Sequence, residues 1–176
     1  ISDIANASVN GRERVAALCD VDFSGSASRS VKRFPKAKLY ADFREMLDNE
    51  KDIDAVTIST PDHVHGPAAV YAMERNKHVY VQKPITHNIR EARILTELAR
   101  KQKVVTQMGN EGHSSDSVYE VTEVVHSGCL GTVEKAHVWT NRPIWRQGMP
   151  QPLKEVEIPK TLDWDLFIGP AKMRPY

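Results

Sequence analysis

The sequence predicts an α/β fold: a parallel sheet covered by helices, followed by the start of a second, α+β domain. Two observations carry the first part. Short β-rich apolar runs alternate with helical patterns over the first two-thirds of the chain, which is how parallel strands joined by crossover helices are written. Apolar residues make up 40% of the 176 residues and charged residues 27%, enough for a core and a solvated surface. A third observation sets the boundary. After Gly112-His113-Ser114-Ser115 the pattern changes, and from Arg142 onward Pro, Gly, Trp and Gln dominate. Residues 1–115 are therefore assigned to the sheet domain and 116–176 to the beginning of the second.

Ser2 to Val9 has a helical pattern closed by the Asn10-Gly11 turn. Val15 to Cys19 is a continuous apolar run of strand length that ends in Asp20-Val21-Asp22. A helix with Ala27, Val31 and Phe34 on one side is predicted from Ser24 to Phe34. Lys38 to Tyr40 is a short strand, and Asp42 caps a helix to Leu47. The next strand, Ile53 to Ser59, is broken by Thr60-Pro61, and a helix runs from Gly66 to Arg75 with Pro67 in its first turn.

His78 to Val81 is a further strand, ending in Gln82-Lys83-Pro84. Asn88, with Glu91 three residues on, forms a capping box for a helix whose Ile89, Ala92, Leu95, Leu98 and Ala99 share a face. Val104 to Met108 is a strand closed by Gly109-Asn110. A helix follows from Asp116 to His126, then a strand from Thr132 to Thr140, then only loops and extended segments.

The net charge of +1, with Lys and Arg dispersed, gives no footprint for nucleic acid or an anionic membrane. No apolar run approaches the ~20 residues that a membrane span needs. Cys19 and Cys129 lack metal or redox spacing and read as buried free thiols. The compartment, cytoplasm or periplasm, is not encoded in these residues.

Ligands of open parallel sheets bind outside the carboxyl ends of the strands. Here those ends carry Asp20 and Asp22, then Thr60-Pro61 with His63 and His65, then Gln82-Lys83-Pro84, then Asn110. Asp20 stands where a dinucleotide-binding domain places a carboxylate for the adenosine ribose hydroxyls, and equally where a turn wants an aspartate. Asn110 suits either a carboxamide contact or the turn after Gly109. His63 and His65 would make a metal pair only with further ligands, and none clusters beside them in sequence, so no metal is expected. Asn141, Arg142, Trp145 and their neighbours have the composition of a sugar-recognition surface, and also that of ordinary packing.

Asp54-Ala-Val-Thr-Ile-Ser-Thr-Pro-Asp-His-Val-His65 and Val79-Tyr-Val-Gln-Lys-Pro-Ile-Thr-His-Asn88 resemble the glucose–fructose oxidoreductase and inositol dehydrogenase family, Gfo/Idh/MocA. Thr106 to Ser114 and Leu162 to Pro170 are similar to a branch common in Bacteroides-like and planctomycete genomes. The resemblance implies a Rossmann-type sheet that binds NAD, in preference to NADP. The small-molecule substrate it implies is a sugar or polyol, and the full-length form is expected to be a homo-oligomer. It further implies that Lys83 is the catalytic lysine beside the nicotinamide, with a lowered pKa suited to proton relay.

Asp20, Thr60, Pro61, His65, Gln82, Lys83, Pro84 and Asn110 are then the cofactor contacts, with a cis bond before Pro84. Gln82 stands where most members carry glutamate; an amide still hydrogen-bonds a hydroxyl but bears no charge. By the same resemblance the first strand and its Gly-rich phosphate loop are expected before Ile1, and a catalytic histidine beyond Tyr176, leaving the fragment inactive alone. Two other activities fit the same motifs: an NAD-dependent glycoside hydrolase working through transient oxidation at C3, and a non-catalytic dinucleotide-binding protein.

Overall fold

The computed structural model describes residues 13–25, 27–142, 148 and 155–176. The helical pattern at 2–9, the Asn10-Gly11 turn and Trp145 lie outside them. The chain divides into two compact units. One holds the described residues up to Gly109 together with Glu157–Tyr176, and the other is Asn110–Val156.

The first unit is built on five parallel strands. β1 (Ala17–Cys19) pairs with β2 (Lys38–Tyr40), and β3 (Ala55–Ile58), β4 (His78–Gln82) and β5 (Thr106–Gly109) form a second ladder in that order. Helices alternate with them: α1 (Ser28–Arg33), α2 (Phe43–Asn49), α3 (His65–Glu74) and α4 (Ile89–Gln102). The predicted strand at 15–19 starts two residues late because Val15 and Ala16 lie outside the paired register.

The core lies between the β3–β4–β5 ladder and α3. Val79, Val81 and Ile58 are buried on the sheet, and Ala68, Ala69, Ala72 and Met73 form the helix face against them. Small residues let α3 lie close to both the sheet and α4. The approach is tightest at Gly66, where an added Cβ would fall 2.7 Å from Glu91 Oε2. Only glycine leaves room there for the carboxylate, which accepts the His87 N–H at 2.9 Å.

The predicted capping box is half formed, because the Glu91 carboxylate bonds the His87 N–H and not that of Asn88. Asn88 Oδ1 accepts the Glu91 N–H at 2.9 Å, satisfying a donor that the helix start would otherwise leave unpaired. Ile89, predicted on the apolar face of this helix, is instead 75% exposed because it lies in the first turn, ahead of the buried Leu95. α2 is tied to α3 through Asp48, which accepts from Tyr71 Oη at 2.7 Å and from Arg75 Nε at 2.8 Å. These bonds, from Tyr71 first and then Arg75, hold the Asp48 carboxyl below its usual range.

The sequence reading placed residues 116–176 together in the second domain, yet Glu157–Tyr176 belongs to the first unit. Within that segment α6 (Trp164–Ile168) forms where only loop was predicted, capped by Asp163, whose Oδ1 accepts the Leu166 N–H at 3.0 Å. In the second unit α5 (Asp116–His126) forms as predicted. The strand predicted at Thr132–Thr140 does not form. Its residues are exposed and pair with no strand among the described residues, and an unpaired extended segment has no ladder to hold it.

Met73 is wholly buried between α3 and its neighbours. We expect Met73→Ala to lower unfolding free energy by about 2–5 kcal/mol, read as a fall in the denaturant midpoint at unchanged slope.

Candidate cofactor site

Parallel pairing brings the predicted residues of the first unit to the carboxyl ends of their strands. Register sets Ile58 against Val81 and Gln82 against Gly109, so Thr60-Pro61 follows β3 and Lys83-Pro84 follows β4 at one end of the ladder. At Gly109 an added Cβ would fall 2.9 Å from Gln82 Cδ and from Tyr80 Oη, so the glycine leaves the Gln82 side chain its place. Gln82 Oε1 accepts the Lys83 backbone N–H at 2.9 Å, which fixes the start of the Lys83 turn. The Lys83–Pro84 bond is cis.

Lys83 is exposed, and no carboxylate among the described residues lies within ion-pair distance of its ammonium. Thr60 and Pro61 are exposed as well, with the Thr60 hydroxyl donating to the Pro61 carbonyl at 3.3 Å. His65 departs from expectation. Its ring was predicted to line the cofactor, but it is 1% exposed, with Nδ1 2.7 Å from the Pro84 carbonyl oxygen and Nε2 2.8 Å from that of Thr60. The first residue of α3 turns inward here, so the imidazole meets the backbone of the site and no ligand.

Asp20 follows β1. Its Oδ1 accepts the Asp22 N–H at 3.0 Å, an Asx turn that leaves Oδ2 without a partner among the described residues. Asp20 lines a cleft of about 530 Å³ with Val21, Phe23, Lys160, Thr161 and Leu162. Sequence reasoning missed this last group, which comes from the segment ahead of α6. The available signal was Asp163 before the apolar run 164–168 and Gly169 after it, a helix cap and stop.

The segment is pinned at three points. Asp163 N–H donates to the Val21 carbonyl at 3.0 Å, His63 Nε2 lies 2.9 Å from the Phe167 carbonyl oxygen, and Thr161 hydrogen-bonds the Asp22 carboxylate. Hydrogen bonds from the Ser24 hydroxyl and N–H, with that of Thr161, hold the Asp22 carboxyl below its usual range. One short segment thus spans the loops after β1 and β3.

Of the remaining candidates, Pro84 is exposed and offers its carbonyl to His65. Asn110 begins the second unit, where its carbonyl accepts the His113 N–H at 2.9 Å and its side chain does not cap the turn that follows. Asn141 and Arg142 are exposed there.

Parallel strands with polar carboxyl ends, a carboxylate after β1 and a free ammonium after β4 define a dinucleotide-binding α/β domain. The chain belongs to the Gfo/Idh/MocA oxidoreductase family, whose model, an NAD-binding Rossmann fold, matches residues 3–110. It is 28% identical over 131 residues to an inositol 2-dehydrogenase of Salmonella paratyphi B, covering 73% of this chain and 38% of that protein. Over 141 residues it is 35% identical to glycosyl hydrolase family 109 protein 1 of Shewanella sp. strain ANA-3, covering 76% of this chain and 28% of that one.

A crystal structure of an NAD-binding oxidoreductase from Klebsiella pneumoniae superposes with a TM-score of 0.56 at 29% identity, over 68% of this chain and 31% of that one. The chain thus spans little more than a third of these relatives at most.

Cys19 ends β1 beside the cleft and is half-buried, whereas Cys129, read as buried from the sequence, is exposed because it follows α5 in the turn at Gly128. Burial pushes the Cys19 thiol up to about 12, and the Asp42, Asp20 and Glu45 carboxylates add to that by repelling a thiolate. Since the thiolate is the reactive form, we expect Cys19 to resist iodoacetamide at pH 8 in the native protein and to react once denaturant is added, read by peptide mass spectrometry.

Proposed function

We propose that the full-length protein is an NAD-dependent dehydrogenase of sugars or polyols, moving a hydride between a hydroxyl-bearing carbon and the nicotinamide. The observation that carries this reading is Lys83, an ammonium with no ion-pair partner among the described residues, fixed at the carboxyl end of β4 in the family's NAD-binding domain. The residues suit NAD. Asp20 Oδ2 is an acceptor on an open cleft, matching the donating hydroxyls of an adenosine ribose. Bound there, the cofactor supplies the hydride acceptor.

The chain's own groups bind and orient. Asp20 takes the ribose hydroxyls, and Thr60-Pro61 flanks the centre of the site. Lys83 Nζ in its amine form takes the proton from the substrate hydroxyl oxygen, and as ammonium returns it in the reverse direction. The exposed Tyr119, Val121, Val138 and Trp139 of the second unit support burial against further protein, in keeping with an oligomer.

The Shewanella relative favours a second reading, a glycoside hydrolase that oxidises C3, eliminates the aglycone, adds water and returns the hydride. Net NADH production on polyols supports the dehydrogenase, while sugar release from a glycoside without net NADH overturns it in favour of the hydrolase. In either case Lys83→Ala is expected to lower turnover by about 10²–10⁴-fold with a much smaller loss of cofactor affinity. Near-normal turnover removes Lys83 from the mechanism.

Asp20 bears on cofactor choice. The 2′-phosphate of NADP meets like charge at the carboxylate, so the wild type is expected to prefer NAD and Asp20→Ser to shift kcat/KM toward NADP. Arg29, Lys32 and Arg33 on α1 are cations that oppose this preference. A clear wild-type preference for NADP, or no relative gain in the variant, overturns the assignment.

A further inference from the structure

His65 sits beneath the site rather than in it, and its two contacts are chemically alike. Nδ1 is 2.7 Å from the Pro84 carbonyl oxygen and Nε2 2.8 Å from the Thr60 carbonyl oxygen, with the side chain wholly enclosed. Carbonyl oxygens only accept hydrogen bonds. A neutral imidazole has one N–H and one bare lone pair, so it serves one carbonyl and sets lone pair against lone pair at the other; only a ring protonated at both nitrogens serves both. Left without its bond, either carbonyl would set its lone pair against that of the bare ring nitrogen.

We propose that His65 is a positioning residue for Lys83: by donating from both ring nitrogens it clamps the backbone after β3 to the backbone after β4. The two bonded carbonyls belong to Thr60 and Pro84, the residues beside Pro61 and Lys83, so the clamp sets how the two strand ends stand relative to each other. Of the groups around it, Glu91 on α4 brings its carboxylate against Gly66, the residue after His65, and accepts the His87 N–H. Asp62 and His63 lie in the turn leading into α3, with His63 Nε2 turned to the Phe167 carbonyl. Lys83 itself is exposed beyond the clamp.

The role of Lys83 rests on the proposed function, whereas the clamp does not, so the test separates them. In the full-length protein, His65→Phe fills the ring volume without donors, and His65→Gln returns one amide donor. Hydrogen–deuterium exchange is expected to quicken about tenfold in peptides covering 59–65 and 82–88 of the Phe variant, with no change in 78–81 and an intermediate value for Gln. In 15N-histidine spectra of the wild type at pH 6, both ring N–H protons of His65 are expected to be visible and protected from water.

Unchanged exchange in those segments, uniform quickening across the domain, or one bare ring nitrogen would each overturn the clamp. With NAD and myo-inositol as probes, the Phe variant is expected to lose kcat at least about tenfold while KM for NAD holds, and the Gln variant to recover part of it. A local exchange effect with kcat unaltered overturns the positioning role. Turnover of these probes that survives Lys83→Ala overturns the proposed function and leaves the clamp standing.

Discussion

In β3, β4 and β5 the parallel register sets Ile58 opposite Val81 and Gln82 opposite Gly109, and nearly everything at the site follows from that alignment. Parallel strands deliver their carboxyl ends to one side, each leaving the ladder with backbone groups no longer paired in the sheet. Those groups need partners, and the chain supplies them locally. Gln82 folds back on the Lys83 N–H, Asp20 on the Asp22 N–H, and His65 takes the Thr60 and Pro84 carbonyls. Side chains that satisfy the strand ends also fix the loops in which a ligand would lie.

Packing beneath the sheet makes such precision affordable in a small unit. An alanine-rich α3 lies close to β4 and to α4, so the loops at its start cannot shift without disturbing a dense core of Ala68, Ala69, Ala72, Met73, Val79 and Val81. The Glu91 carboxylate over Gly66 belongs to the same economy. It bonds the His87 N–H just ahead of α4 and occupies the space that any larger residue at 66 would need.

How much of this was legible depended on whether a feature is local. β2 and α5 fall on the residues read from the sequence, because a short strand bounded by turns and a helical period are local signals. The Asn88 and Asp42 caps were legible for the same reason. The strand-end positions of Thr60, Gln82, Lys83 and Asp20 were legible because strand ends in parallel sheets are where polar residues collect. His65 was found for its place in the motif but given the wrong surroundings, since a one-dimensional reading cannot tell a side chain above the strand ends from one below them. Thr132–Thr140 alternates like a strand but pairs with nothing in the described chain, and alternation alone supplies no partner.

The segment around Lys160 was illegible for a different reason: its meaning lies in a return across the whole second unit. Asp20–Ser24 and Lys160–Asp163 line one cleft, though far apart in sequence, with Asn110–Val156 between them as a compact body of its own. Closing a longer loop adds little to the entropic cost, about 0.6 kcal/mol for each doubling in length, so a large excursion between the two is thermodynamically tolerable. What matters is that the return is specified where it lands. The Asp163 N–H on Val21, Thr161 on Asp22 and Phe167 on His63 provide that specification through groups the cleft already contains. The result sets Lys160 and Asp20, opposite charges, in the same cleft, whose wall is shaped by segments that lie on either side of the second unit in sequence.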